Sequence, residues 1–290
     1  MGLIDFITNI AGVLLWLNWR SLSFDPLAKT SAASLIGTLR RAEPRRIKGW
    51  QILASVALLL VLRALLYWQI GSAASWVPKI NLMVVVLAFR NSGPHFINFL
   101  VVLLYSVLSF VRILAVFYFW VLTLSLLSQG GAEPDPIQKL FRQHLGRLSR
   151  WPWPLQAVAP LLLTACLWVA LHWLLVRVGV TNRVSSNAHL VEQGLLIGLA
   201  LYSSLKYLLP PLLFVYLIAS YVYLGSSPVW DFLFAVARNL LAPLEGLPLR
   251  VGKCDFAPLV GAVLLLLLLH WLPGLIMSEM TARHMSFWPL

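Results

Sequence analysis

The stretch that decides the fold is residues 117–173, FYFWVLTLSLLSQGGAEPDPIQKLFRQHLGRLSRWPWPLQAVAPLLLTACLWVALHW. It opens on an apolar run that stops at a polar break, Ser128–Glu133, and at Pro134-Asp135-Pro136. In Ile137–Arg150, apolar residues recur at helical spacing with Lys and Arg between them, and a second apolar run, Leu155–Val178, comes soon after. This order predicts a membrane helix, a surface helix and a second membrane helix.

The composition of the whole chain agrees with a membrane protein. Hydrophobic residues make up 60% of the 290 residues and charged residues 11%, whereas soluble domains have about 45–50% and about 25%. The apolar runs are continuous, as in Leu264–Leu269, and do not alternate as the strands of a membrane barrel would. We therefore predict an all-α polytopic membrane protein. The net charge of +12 does not indicate a nucleic-acid partner, because in a membrane protein the position of the charges matters more than their sum.

Six segments are apolar and long enough to cross a bilayer, which takes about 20 residues per helix. They are Leu3–Trp19, Trp50–Ile70, His95–Ser128, Leu155–Val178, Gly194–Gly225 and Phe256–Ile276. We expect the first to be a retained span, because it has no basic start and no small-residue cleavage site follows it. Ile80–Phe89 is too short to cross, and we predict a re-entrant or interfacial helix there. Pro210-Pro211 should bend the fifth span.

Three features recur in the same order and predict three tandem hairpin repeats. Each apolar span is followed by a Pro-containing start, each start by an amphipathic piece, and each following span ends on an aromatic pair. The starts are Asp25-Pro26, Asp135-Pro136 and Ser227-Pro228, and the ends are Tyr67-Trp68, His172-Trp173 and His270-Trp271. Leu104–Leu108 also matches Leu201–Leu205. We place the repeats at residues 1–79, at 80–183 with a short N-terminal interfacial helix, and at 184–290.

The basic residues concentrate in the three Pro-containing loops. The loops hold Arg20, Lys29, Arg40, Arg41, Arg45, Arg46, Lys48, Lys139, Arg142, Arg147, Arg150, Arg238, Arg250 and Lys253. The opposite side holds Lys79, Arg90, Arg177, Arg183 and Arg283. Because Lys and Arg in short loops set the orientation of membrane proteins, we expect the three loops in the cytoplasm and both termini on the outer side.

The predicted repeats share motifs with a known family. The third contains Ser227-Pro228, Leu240–Leu244, Pro248 and Asp255–Val260; the first contains Leu35–Pro44; the second contains Phe119–Leu122, Ser128–Gly130 and Leu145–Arg150. These residues resemble the hairpin of the YggT family of small integral membrane proteins. The resemblance implies a multi-pass protein of the bacterial inner (cytoplasmic) membrane. It also implies a role like those associated with the family, which are membrane-complex assembly, cell division, organelle nucleoid organisation and osmotic tolerance.

The basic loops are the first candidate binding sites. The cations concerned are Arg40, Arg41, Arg45, Arg46, Lys139, Arg142, Arg147 and Arg150. Amphipathic helices with such cations bind the anionic lipid of an inner leaflet. The same surface is also suited to docking a cytoplasmic or membrane partner, and the sequence leaves both interpretations open.

Two histidines are weak candidates for a cofactor site. His172 and His270 occupy equivalent positions in the predicted repeats, and two helical imidazoles can ligate haem or a metal. However, His, Tyr and Trp are also common at membrane interfaces, and Tyr67 stands at the equivalent position of the first repeat. We therefore predict no cofactor and no metal site, with haem as the open alternative.

Three cations fall inside apolar spans: Arg63, Arg112 and Lys206. Charge within a membrane is costly, and it is a functional hypothesis by default. Lys206 lies one turn before Pro210-Pro211, where carbonyls without donors could receive it. Structural capping and an ion or solute path are both compatible with this pattern. Asp5 and Glu192 are candidate counter-ions.

No catalytic motif is recognisable in the sequence. It contains no Gly-rich phosphate loop, and no Gly-x-Ser-x-Gly, His-Glu-x-x-His or Cys-x-x-Cys. We therefore expect a non-enzymatic integral membrane scaffold, or an accessory or assembly subunit of a membrane protein complex. Its partners would be anionic inner-leaflet lipids and other integral membrane subunits. The alternative is a small ion or solute transporter or channel, and a minor alternative is a haem- or metal-binding membrane protein.

Overall fold

The computed structural model describes residues 2–24, 49–73, 77–89, 95–128, 136–184, 186–222, 227–244, 246–251 and 254–283. Most of these residues are helical. The α-helices are α1 Gly2–Phe24, α2 Gly49–Ala73, α3 His95–Leu127, α4 Pro136–Leu145, α5 Trp153–Arg177, α6 Asn187–Tyr202, α7 Leu209–Tyr221, α8 Pro228–Leu241 and α9 Ala257–Ala282. The 3-10 turns are Gly146–Arg150, Ser203–Tyr207 and Ala242–Leu244. The strands are β1 Lys79–Asn81, β2 Val86–Ala88, β3 Arg250–Val251 and β4 Cys254–Asp255.

Six helical segments in the described part of the chain are long and apolar enough to cross a membrane. They are Gly2–Arg20, Gly49–Ile70, Asn98–Leu127, Trp153–Arg177, Asn187–Tyr221 and Ala257–Ala282. The prediction of an all-α, multi-pass membrane protein with about six spans is confirmed. The predicted basic cluster of Arg40, Arg41, Arg45 and Arg46 lies outside the described residues.

The chain forms two compact units, and the boundary between them falls within α3. Unit 1 comprises residues 1–78 and 89–114, and unit 2 comprises residues 79–88 and 115–290. In unit 1, α1 packs along α2. In unit 2, α5 packs along α6, and α7 packs along α9. The three sequence repeats remain a prediction about the origin of the chain, whereas the two units describe how its helices pack.

The prediction of an interfacial helix at Ile80–Phe89 is wrong, because this segment is an antiparallel β-hairpin of β1 and β2. Three consecutive valines, Val84–Val86, favour extended backbone. Met83 adopts a left-handed conformation with φ of 72° in the turn, and its backbone N–H donates to the Asn81 side chain at 2.8 Å. The Asn side chain thus stabilises a tight turn between two short strands.

The α-helix of the fifth span is interrupted next to the proline pair that was expected to bend it. The α-helical conformation of α6 ends at Tyr202, a 3-10 turn follows, and α7 begins just before Pro210-Pro211. Neither proline has a backbone N–H, so the carbonyls of Lys206 and Tyr207 lose their usual α-helical donors. The break therefore lies in the turn that precedes the prolines.

The order of span, short helix, 3-10 turn and span occurs twice in unit 2. It first runs from α3 through α4 to α5, and then from α7 through α8 to α9. The amphipathic pieces predicted at Ile137–Arg150 and after Ser227-Pro228 are both helical. They also touch, because the Phe141 ring centroid lies 5.3 Å from that of Phe232 in an edge-on contact. The second and third Pro-containing loops therefore lie at the same end of unit 2.

Two glycines on α6 allow α5 and α6 to approach closely. A Cβ atom at Gly198 would lie 2.7 Å from the Leu161 carbonyl oxygen, and one at Gly194 would lie 3.0 Å from that of Ala165. The glycines are four residues apart, which is the small-residue spacing that brings membrane helices into backbone contact. The Tyr202 hydroxyl donates to the Ala157 carbonyl across the same pair of helices.

Candidate functional site

Arg63 forms a buried ion pair with Asp5 in unit 1. Arg63 lies in the middle of α2 and is 1% exposed. Its Nη2 atom lies 2.6 Å from Asp5 Oδ1 on α1. Nη1 donates to Asn9 Oδ1 at 2.8 Å, and Nη2 also donates to Ser109 Oγ on α3 at 2.9 Å. The candidate counter-ion Asp5 is thus the one that Arg63 contacts, and charge-assisted bonds of this kind are the stronger class of hydrogen bond.

Two buried tyrosines complete the coordination of Asp5. The Tyr67 hydroxyl donates to Oδ1 at 2.8 Å, and the Tyr105 hydroxyl donates to Oδ2 at 3.0 Å. The guanidinium carbon of Arg63 lies 5.8 Å from the Tyr67 ring centroid and 5.4 Å from that of Tyr105, within the range of cation–π attraction. We call Asp5, Asn9, Arg63, Tyr67, Tyr105 and Ser109 the Arg63 network.

The Arg63 network joins three helices through pairs of residues four apart. Asp5 and Asn9 are on α1, Arg63 and Tyr67 on α2, and Tyr105 and Ser109 on α3. A spacing of four places both members of a pair on one helix face. Ser106 adds a further tie between α2 and α3, because its hydroxyl donates to the Leu60 carbonyl at 2.9 Å. The network can therefore fix the register of all three helices in unit 1.

Arg63 Nε is a donor that the Arg63 network leaves unused. Arg63 Nε is buried and has no hydrogen-bond partner among the described residues. The carboxylate end is less enclosed, since the Asp5 side chain is 23% exposed. Most polar atoms of the network are thus hydrogen-bonded, and its partly exposed side is at Asp5.

The other predicted intramembrane cations have different surroundings. Arg112 lies half-buried on α3 in unit 1. Lys206 lies in the 3-10 turn of unit 2, with Nζ 5.0 Å from the Tyr207 ring centroid. Glu192, the second candidate counter-ion, accepts from Arg283 Nη1 at 2.8 Å and lies 3.2 Å from His189 Nδ1. Its partners are therefore residues near the ends of α6 and α9.

The two candidate haem ligands occupy different environments. His172 is buried on α5, with its ring centroid 6.0 Å from that of Trp168. Its Nδ1 has no hydrogen-bond partner in the part of the chain that the structure describes. His270 on α9 is exposed. No group of three or more His, Cys, Asp or Glu side chains suited to a metal ion occurs among the described residues.

The surface helices of unit 2 form the second candidate site. Lys139 and Arg142 on α4, and Arg147 and Arg150 in the following 3-10 turn, are all exposed. The opposite face of α4 contains buried Gln138 as well as Phe141, which contacts α8. We call α4, its 3-10 turn and α8 the interfacial platform.

The interfacial platform is fastened to the end of α3. Gln138 on α4 donates to the Ser128 carbonyl at 3.3 Å, and Asn239 on α8 donates to the Leu127 carbonyl at 2.6 Å. The last carbonyls of a helix have no partner within the helix, so each of these side chains caps the C-terminus of α3. The exposed cations are therefore presented on a fixed support.

Sequence reasoning identified Arg63 and Asp5 but missed four members of the Arg63 network. Asn9 and Ser109 were not singled out, Tyr105 was read only as part of a repeat match, and Tyr67 only as an interface residue. The pattern that would have identified them is a pair of polar or tyrosine side chains, four residues apart, in each of three apolar spans. That pattern predicts polar faces directed toward one another.

Comparison with known proteins leaves the family undecided. No protein-family model, no curated protein and no solved structure matches this chain. The resemblance to the YggT family therefore stays a prediction.

Proposed function

We propose that the protein is a non-enzymatic membrane scaffold or accessory subunit that holds a partner in a membrane assembly. The observation that carries this proposal is the interfacial platform. Phe141 and Phe232 pack against each other on its protein-facing side, Leu140 is half-exposed, and Lys139, Arg142, Arg147 and Arg150 are exposed. A fixed row of cations next to a membrane attracts anionic lipid and acidic protein surfaces.

The charge distribution supports a cytoplasmic location for the interfacial platform. The second and third Pro-containing loops lie at one end of unit 2 and carry most of its loop cations. Under the positive-inside rule this end faces the cytoplasm. We place the protein in the bacterial inner membrane with both termini outside, in line with its resemblance to the YggT family.

The spans offer further surface for integral membrane partners. Their exposed apolar side chains include Leu58 and Leu62 on α2, and Leu264 and Leu268 on α9. Such faces contact either lipid or the spans of another subunit. The scaffold would therefore use its platform for a partner at the membrane surface and its helix faces for partners within the bilayer.

Charge reversal of the interfacial platform tests this proposal. Lys139, Arg142, Arg147 and Arg150 are changed together to Glu, and partners are quantified after crosslinking and purification in mild detergent. We expect at least a tenfold loss of the partner while the protein remains inserted. The matched control reverses Arg177 and Arg183, which are exposed at the other end of α5, and should keep the partner. Equal retention by both variants would contradict the scaffold proposal.

Transport of an ion or small solute is the second candidate. The Arg63 network supports it, because a buried charge pair within membrane spans often belongs to a transport path. Asp5 provides a partly exposed edge from which such a path could start. Flux into proteoliposomes that depends on Asp5 and is lost in Asp5→Asn would favour transport over the scaffold.

A further inference from the structure

An apolar cavity lies beneath the interfacial platform in unit 2. Its volume is about 300 Å³. Its lining includes Ala115 and Leu122 on α3, His144 and Leu148 in the platform, and Pro160 and Thr164 on α5. The Thr164 hydroxyl donates to the Pro160 carbonyl, so that side chain has no need of a polar ligand. Eight of the eleven lining residues are apolar, so most of the lining is suited to hydrocarbon.

The lining residues of the cavity on α3 and α5 are spread along both helices, away from the platform. With a rise of 1.5 Å per residue, Leu122 lies about 8 Å and Ala115 about 18 Å from the end of α3 at Leu127. Pro160 and Thr164 lie about 11 Å and about 17 Å from the start of α5. One leaflet provides about 15 Å of hydrocarbon. The cavity thus covers the depth that a lipid acyl chain occupies.

The platform end of the cavity is next to two exposed cations in the sequence. His144, Leu145 and Leu148 cover its upper end. Between them, Gly146 has a φ of 57°, which allows the backbone to turn from α4 into the 3-10 segment. Arg147 and Arg150 are exposed on this same turn. Arg147 and Arg150 therefore lie within two residues of the lining residue Leu148, near where the headgroup of an inserted lipid would be.

We propose that this cavity binds one acyl chain of an anionic glycerophospholipid, whose phosphate contacts Arg147 and Arg150. The proposal goes beyond the scaffold role, because it names a specific ligand and does not need a protein partner. The volume is at the lower end of ligand sites, which are about 300–1,000 Å³, so it suits a slender chain better than a bulky ring. The complementary charge selects an anionic headgroup over a zwitterionic one.

A lipid held in this cavity should exchange more slowly than the lipid around the spans. Gln138 and Phe141 hold α4 against the protein, so α4 should continue to cover the cavity while the surrounding lipid exchanges. Native mass spectrometry of the full-length protein, released from nanodiscs of equal phosphatidylglycerol and phosphatidylcholine, measures the retained lipid. We expect one retained phosphatidylglycerol with at least a fivefold preference over phosphatidylcholine.

Two variants separate the acyl-chain contact from the headgroup contact. Ala115→Phe fills the cavity and should lower lipid retention at least tenfold, whereas Ala170→Phe, at an exposed position on α5, should not. The double variant Arg147→Gln and Arg150→Gln should keep a lipid but reduce the headgroup preference to less than twofold. Retention unchanged by Ala115→Phe, or no headgroup preference in the wild-type protein, would overturn the proposal.

A crosslinking measurement needs no variant and covers the case in which Ala115→Phe does not fold. Phosphatidylglycerol with a diazirine near the middle of one acyl chain is photolysed with the wild-type protein, and crosslinked peptides are mapped. We expect crosslinks in residues 115–122 and 160–164, with excess unlabelled phosphatidylglycerol competing at least fivefold better than phosphatidylcholine. Crosslinks spread evenly over all spans would contradict a specific site in the cavity. Competition by an isoprenoid lipid but not by phosphatidylglycerol would contradict binding of an anionic glycerophospholipid.

Discussion

Arg63 Nη2 and Asp5 Oδ1 lie 2.6 Å apart and connect α2 with α1 inside unit 1. Residues 5 and 63 are far apart in sequence, and the bond between them is formed where both helices are expected to be surrounded by hydrocarbon. Arg63 is buried, so water cannot take the place of its partners, and its charge depends on Asp5 and on the tyrosines beside it.

Replacing the carboxylate of Asp5 should therefore destabilise unit 1. Asp5→Asn leaves the Arg63 charge without its counter-ion and should lower the free energy of unfolding by about 1–3 kcal/mol, between values typical of membrane hydrogen bonds and of broken buried ion pairs. Thermal unfolding in detergent measures the change. Asp5→Asn combined with Arg63→Met should recover part of the loss, because no charge then remains unpaired. A double variant less stable than Asp5→Asn would show that the ion pair does not govern stability.

The Tyr67 and Tyr105 hydroxyls should stabilise unit 1 through their hydrogen bonds to Asp5. Tyr67→Phe and Tyr105→Phe each remove one donor to the carboxylate and should each cost about 1 kcal/mol. In the Asp5→Asn background the same substitutions should cost less, since the charged acceptor is gone. A double-mutant cycle from thermal unfolding measures this coupling. Equal costs in both backgrounds would mean that the tyrosines stabilise the unit by packing alone.

Gly198 should not tolerate a side chain. A Cβ there would lie 2.7 Å from the Leu161 carbonyl oxygen, so Gly198→Ala must push α5 and α6 apart, at a cost of about 1–3 kcal/mol. Gly274→Ala is the matched control on α9, because a Cβ there meets nothing within 4 Å. Because Ala has a higher helix propensity than Gly, Gly274→Ala should leave the free energy of unfolding unchanged or raise it by up to about 1 kcal/mol. Thermal unfolding that ranks the two variants in the opposite order would refute the close helix contact.

The interfacial platform should face the cytoplasm. A single cysteine at Arg142 in a Cys166→Ala and Cys254→Ser background should resist an impermeant thiol reagent in intact cells and react after lysis. A second single cysteine at Arg183, which is exposed beyond the other end of α5, should react in intact cells. The reverse pattern of labelling would invert the proposed topology.

The substitution Lys206→Met should give different results for a scaffold and for a transporter. Lys206→Met removes the cation that lies over the Tyr207 ring. In a scaffold it should change partner recovery less than twofold, whereas charge reversal of the interfacial platform should remove the partner. Loss of ion-dependent growth or flux in Lys206→Met, with full partner recovery after charge reversal, would support transport. Both measurements are made on the same strains, so the two outcomes are directly comparable.

The sequence predicted those parts of the fold that depend on local pattern. The lengths of the apolar runs predicted the six spans, and the amphipathic patterns predicted α4 and α8. Pro210-Pro211 indicated where the helix is interrupted before α7. Each of these signals lies within a window of about 20 residues, which is the scale on which hydrophobic periodicity is informative.

The remaining features depend on contacts between distant segments or on short ambiguous runs. Ile80–Phe89 is apolar throughout, and an apolar run of this length does not distinguish a strand from a helix by periodicity. The valines and Asn81 were the available evidence for a hairpin. The Arg63 network needs the relative rotation of α1, α2 and α3, and the cavity beneath α4 needs the path of the chain after Gly146. Neither can be obtained from one segment alone.

The last two residues of the α3 segment, Leu127 and Ser128, act as a shared anchor point for two surface helices. Asn239 and Gln138 bond to adjacent carbonyls there, so a force applied to α8 or to α4 reaches the same short piece of backbone. A partner that draws one surface helix away from the protein therefore pulls on the residue next to the one that holds the other helix. Two docking events on the separate helices would thereby influence each other mechanically, although the two helices come from different loops.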